Sequence, residues 1–141
     1  MQRLDLLGEQ HPADLADANL LVEAIVEDHD TKVELLKRVA EAAPGADLAT
    51  TTSSLSITDL GRDSGFPDRV YGLHVFNPVP TMKLVELIFP EGLDEAVGER
   101  AHDWCHMIEK TAVEVPDTAG FAVNRLLFPY LFDAVRYQER T

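Results

Sequence analysis

Along the chain, apolar residues fall into short runs separated by polar, proline-marked or glycine-marked breaks, and the runs alternate between two periods. Leu20 to Ile25 is a compact apolar run with polar neighbours, which predicts a buried strand. After it, Val33, Leu36, Ala40 and Ala43 recur at three- and four-residue steps, Asp28 or Asp30 can cap the start, and Pro44-Gly45 ends the pattern, which predicts a helix. The same grammar repeats with Asp47 to Thr52 as a strand and Ser56 capping a brief helix, Asp59 standing three positions on. Arg69 to Phe76 reads as a strand rich in aromatic and β-branched residues. The prolines of NPVP, Pro78 and Pro80, interrupt it before a returning strand, KLVELIF.

Beyond Pro90-Glu91-Gly92, Val97, Ala101, Trp104 and Ile108 predict one helical stripe, and Ala112 to Val115 a last short strand. Strands alternating with helices predict an α/β sheet. Ahead of the first strand, the ADLADA segment after Pro12 predicts one or two helical turns. The final segment, Phe121 to Tyr137, is apolar on nearly every side and contains Pro129, which predicts a buried, locally kinked helix packed on something large. A domain boundary is expected at the DTAG turn, Asp117 to Gly120, dividing residues 1–117 from 118–141.

Composition narrows the function classes. Of 141 residues 45% are hydrophobic and 26% charged, the balance of one soluble globular unit. Twelve Lys and Arg stand against 25 Asp and Glu, and the net charge of −13 repels phosphate backbones and anionic membrane surfaces. A nucleic-acid or membrane partner is therefore not expected. The lone Cys105 cannot form an internal disulfide, and the residues after Met1 carry no signal-peptide pattern, so a cytoplasmic setting is expected. No apolar run approaches the roughly 20 residues of a membrane span.

Few residues offer chemistry. His74 closes a predicted strand and Glu86 lies twelve positions later on the strand that returns, so the two can meet. A carboxylate beside an imidazole fixes its tautomer and makes it a better acceptor of a substrate proton. A strand-end histidine bonded to a backbone carbonyl would give the same spacing. Ser53 and Ser54 end the second strand, where open α/β sheets bind ligands, although serines before a helix are commonly caps. Asn124 is an amide in an apolar helix and invites either a structural or a ligand role. His102 and His106 flank Cys105 but no further ligands complete a metal site. The sequence contains neither G-x-G-x-x-G nor a P-loop, so no glycine-rich cradle for a pyrophosphate is expected.

Four segments together, VEAIVED at Val22, TSSLSIT at Thr52, GLHVFNPVPTMKLVEL at Gly72 and DTAGFAVNRLLFPYL at Asp117, resemble the L-3-hydroxyacyl-CoA dehydrogenase family in content, order and spacing. The resemblance runs over roughly residues 13–138. It implies a partial Rossmann-type sheet, the second half of a dinucleotide-binding domain, followed by the first helix of an all-helical carboxy-terminal domain. It implies NAD as cofactor, an acyl-CoA substrate, fatty acid β-oxidation as the setting and a homo-oligomer for the complete enzyme. By motif, His74 would be the general base, Glu86 its orienting partner, and Ser53 and Asn124 the substrate-binding residues. Glu27, Lys32 and Thr51 would face the cofactor. Thr51 stands where the family usually has Asn, and Ala119 where it usually has Pro.

Two other readings stay open. Sugar-acid dehydrogenases similar to lambda-crystallin share the scaffold but tend toward HP-x-NPP, and HVFNPVP favours the acyl-CoA branch. Without a glycine-rich turn, the chain could also be a non-catalytic remnant or a subunit-interaction piece, inactive by itself.

Overall fold

A computed structural model describes residues 15–140. Five strands and four helices follow one another as β1 (Leu20–Glu23), α1 (His29–Ala42), β2 (Asp47–Thr50), α2 (Ile57–Ser64), β3 (Val70–Val75), β4 (Leu84–Ile88), α3 (Glu95–Met107), β5 (Thr111–Glu114) and α4 (Val123–Glu139). They form one α/β sheet in the order β1-β2-β3-β4-β5. The first three strands are parallel, β4 returns antiparallel to β3, and β5 is parallel to β4. The carboxyl ends of β1, β2 and β3 therefore lie along one edge.

Strand periodicity divides the core in two. Leu21, Leu48, Val70 and Ile88 face α1 and α2, with Leu36, Ala40, Ile57, Leu60 and Phe121. Ala49, Tyr71, Leu73, Val85 and Leu87 face α3, where they meet Val97, Ala101 and Cys105. Of the expected α3 stripe Val97 and Ala101 are buried and Trp104 is half-buried; Cys105 joins them, and Ile108, at the C-cap, is exposed. Gly72 is required by packing, since a Cβ there would stand 2.9 Å from Ile88 and 3.0 Å from Ile57, where β3 passes beneath α2.

All five strands are shorter than or shifted from the expected runs, and the ADLADA helix reduces to a turn over Leu15–Asp17, residues 13 and 14 lying outside the described residues. Asp28, rather than Asp30, caps α1 by accepting the Thr31 amide at 3.0 Å. Arg69 closes the other end of α1, donating to the carbonyls of Ala43 and Ala46 at 2.6 Å each.

The apolar helix that calls for a large partner surface stands uncovered among the described residues. Helix α4 carries Pro129 and forms over Val123–Glu139, but none of its residues is buried; Leu126 is 76% exposed and Phe132 59%. An apolar helix predicts burial only if a partner surface is at hand, and among the described residues the core ends at Phe121, just before it.

A buried ion pair joins β1 to α1. Lys32, 1% exposed, donates to Glu23 Oε1 at 2.7 Å, and Glu23 Oε2 accepts the Thr50 hydroxyl at 2.6 Å. Lys32→Ala would leave Glu23 buried without its cation and should cost on the order of 3 kcal/mol or more, read as a lowered thermal unfolding midpoint. An unchanged midpoint would refute this. The exposed face of α4 should in turn make the purified chain self-associate and bind a hydrophobic dye. Light scattering from a clean monomer that leaves the dye dark would contradict that expectation.

Candidate active site

The β3–β4 hairpin sets the centre of the site. Its register places His74 directly opposite Glu86, both on the face that carries Gly72 and Ile88. His74 Nδ1 lies 2.6 Å from Glu86 Oε2, with the residues 5% and 1% exposed. The carboxylate can only accept from Nδ1–H, so the neutral ring keeps its lone pair on Nε2. Among the described residues Nε2 has no hydrogen-bond partner. Phe76 and Phe121 pack against the imidazole with ring centroids 4.7 and 5.2 Å away. Of the two readings left open by the spacing, the structure has the carboxylate one.

The other oxygen of Glu86 is equally committed. Oε1 accepts the backbone amides of Ala122 and Val123 at 3.0 and 2.9 Å. Helix α4 has no side-chain cap of its own, so Glu86 satisfies amides that would otherwise have no intrahelical partner.

A second carboxylate organises the loop after β2. Glu27 Oε1 accepts the Thr52 hydroxyl at 2.6 Å, the Ser53 amide at 2.9 Å, and the amide and hydroxyl of Ser54 at 3.1 and 2.9 Å. Partial burial pushes the Glu27 carboxyl up. The Thr52, Ser53 and Ser54 donors and the Lys32 charge outweigh this and hold it below its ordinary value. Lys32 stands 3.6 Å from Glu27 Oε2, inside the core, and Thr51 donates its amide to the Glu23 carbonyl at 3.0 Å. Three residues expected to face a cofactor are thus brought to the carboxyl ends of β1 and β2. Of these, Glu27 presents a partly exposed side chain, 38%, while Lys32 is sealed behind it.

A cleft of about 500 Å³ opens between this loop and α4, lined by Ser53, Ser54, Gly120, Asn124, Arg125 and Phe128 among others. Ser53 and Asn124 therefore face one space. His74 is not among the lining residues, although Phe121, which touches its ring, follows Gly120 in the chain.

Asp117 was read in the sequence only as part of a turn, and it has a second task. It accepts the Ile57 and Thr58 amides at 3.1 and 2.8 Å and the Ser56 and Thr58 hydroxyls at 3.1 and 2.7 Å, fastening the DTAG turn to the start of α2. Partial burial raises its carboxyl, and the Thr58 hydroxyl and amide, the Ile57 amide and the Ser56 hydroxyl reverse this, so that its pKa is lowered. Sixty positions separate these partners; the short polar block DT before GF was the one local signal.

A side chain accepts at least one amide at the start of each described helix, Asp28 at α1, Ser56 and Asp117 at α2, Asp94 at α3 and Glu86 at α4. His102 pairs with Glu114 at 2.8 Å, and among the described residues no group of three or more His, Cys, Asp or Glu could hold a metal ion. No described helix is long and apolar enough to cross a membrane.

Comparison with known proteins follows the same lines. Residues 2–118 match the family model described as "3-hydroxyacyl-CoA dehydrogenase, NAD binding domain". Over 123 residues the chain is 47% identical to the mitochondrial hydroxyacyl-coenzyme A dehydrogenase of Mus musculus, covering 86% of this chain and 39% of that protein. It is 42% identical to a 3-hydroxybutyryl-CoA dehydrogenase of Clostridioides difficile, covering 86% of this chain and 44% of that one. The crystal structure of M. tuberculosis FadB2 superimposes with a TM-score of 0.87 at 40% identity, over 92% of this chain and 47% of that one. The chain thus spans less than half the length of these relatives. On the match over residues 2–118, the chain belongs to the 3-hydroxyacyl-CoA dehydrogenase family, within its NAD-binding domain.

Proposed function

We propose that this chain supplies the acid–base half of an L-3-hydroxyacyl-CoA dehydrogenase. The observation that carries the reading is the buried His74–Glu86 pair, which leaves Nε2 as a proton acceptor in an apolar surround of Phe76 and Phe121. His74 Nε2 takes the proton of the 3-hydroxyl. Bound NAD would supply the hydride acceptor for C3, and the chain's own part in turning the alcohol into a carbonyl is to take one proton. Glu86 keeps the imidazole in the productive tautomer and lies beside the imidazolium that results.

Ser53 and Asn124, on either side of the cleft, are the hydrogen-bonding groups for the substrate's 3-oxygen and thioester region. Glu27 and Thr51 are the residues toward the nicotinamide side, with Lys32 holding Glu27 from the core. The sequence contains no glycine-rich turn of the kind that cradles a pyrophosphate, so these residues are read as serving the nicotinamide half. Residues 118–141 read as the opening of the helical domain that bounds the acyl-CoA cleft. The complete protein would be a homo-oligomer acting in fatty acid β-oxidation. The single cysteine fits a reducing compartment such as the cytoplasm, while the mouse relative's name carries "mitochondrial".

The test is made in a chimera that carries this segment between the glycine-rich amino-terminal half and the helical domain of a 3-hydroxybutyryl-CoA dehydrogenase. There His74→Gln should lower turnover of acetoacetyl-CoA with NADH by about 10²–10⁴-fold, with KM for acetoacetyl-CoA nearly unchanged. Full turnover in that variant would remove His74 from the mechanism.

A further inference from the structure

Glu86 accepts three hydrogen bonds with two oxygens, and the donors come from two parts of the fold. His74 Nδ1 meets Oε2 at 2.6 Å, while the Ala122 and Val123 amides meet Oε1 at 3.0 and 2.9 Å. A backbone N–H can only donate, so whatever atom of residue 86 faces α4 has to be an acceptor. We propose that the first turn of α4 is a positioning element for the acid–base centre. Its two amides dictate which atom of residue 86 turns toward the helix, and thereby which nitrogen of His74 carries the proton. The meaning of this for catalysis rests on His74 being the base; the geometry does not.

The requirement is selective. A carboxylate has an acceptor at each end and satisfies the amides and Nδ1–H together. A carboxamide of the same size has one acceptor and one donor. With two amides waiting on the α4 side, the oxygen of Glu86→Gln must turn to the helix and its NH₂ to the imidazole. Nδ1 must then accept, the proton moves to Nε2, and the lone pair is lost from the position where a substrate would need it.

The turn before α4 is built to deliver those amides. Asp117 fastens its start to the Ile57 and Thr58 amides of α2. Gly120 and Phe121 both take left-handed backbone, φ 76° and 47°, which reverses the chain immediately before Ala122. A Cβ on Gly120 would come within 3.3 Å of the Arg125 nitrogen, and Phe121 is buried with its ring against His74. The turn and the imidazole thus share one packed contact.

Nitrogen-15 NMR of the imidazoles in the whole chain reads the tautomer directly, the His74 signal being identified among five histidines by its loss in His74→Gln. In the unmodified chain the neutral ring should carry its proton on Nδ1. In folded Glu86→Gln the major tautomer should invert to Nε2–H, and adding Gly120→Val, which displaces the turn, should shift the population back toward Nδ1–H. Retention of the Nδ1 proton in folded Glu86→Gln would overturn the proposal, whereas a merely structural role for α4 would leave the tautomer unmoved. A measurement on the unmodified chain decides the matter if the variant does not fold. First-turn amides lack an intrahelical partner, so those of Ala122 and Val123 should exchange with solvent at least tenfold more slowly than unprotected ones, and unprotected exchange would refute the link. Neither readout depends on turnover, so loss of the dehydrogenase reading and loss of this one remain distinguishable.

Discussion

The Glu86 carboxylate is the junction on which the site depends. Its side chain is buried, its two oxygens take donors from an imidazole and from a helix start, and no water is needed to satisfy it. An ionised group in that position is tolerable only because each oxygen is paired. Removing either partner leaves a buried charge incompletely satisfied, so the β3–β4 register, the DTAG turn and the start of α4 have to be right together. The loop between the two strands is fixed as well, because Lys110 donates to the Val79 and Met82 carbonyls across it.

The same device recurs around the crevice. Glu27 gathers the Thr52–Ser54 donors, Asp117 gathers those of Ser56–Thr58, and Glu23 holds Lys32 and Thr50 at the ends of β1 and β2. Carboxylates thus satisfy backbone amides and hydroxyls along the ends of β1 and β2 and the start of α2. A chain with a net charge of −13 places several of its negative charges here as structural acceptors rather than as solvated surface. The His74–Glu86 pair and the cleft between the Thr52–Ser54 loop and α4 are thus ordered by the protein's own charges.

Much of this was legible in the sequence. The twelve-residue spacing between His74 and Glu86 across a proline-marked return is a hairpin signal, and the hairpin register is what makes the pair meet. Ser56 and its Asp59 amide followed the local capping pattern. Long-range partners were not legible: Asp117 to α2, Glu86 to α4 and Arg69 to the end of α1 are each tertiary contacts with no periodic trace. The α3 stripe was legible through Val97, Ala101 and Trp104 but not at Ile108, which falls at the C-cap where the helical period no longer holds. Helix α4 was legible as a helix that needs a partner surface, because its apolar residues run round nearly every side, and among the described residues it is exposed.

On the proposed reading, His74 and Glu86 form the acid–base centre, and tight cofactor binding needs a glycine-rich cradle that the sequence does not contain. Calorimetric titration of the 141-residue chain with NADH tests it most directly, repeated in the chimera that supplies a glycine-rich amino-terminal half. The expected result is no binding heat at micromolar NADH for the chain alone and clear saturation in the chimera, whose glycine-rich turn offers free backbone amides to the pyrophosphate. Micromolar NADH binding by the chain alone would contradict it.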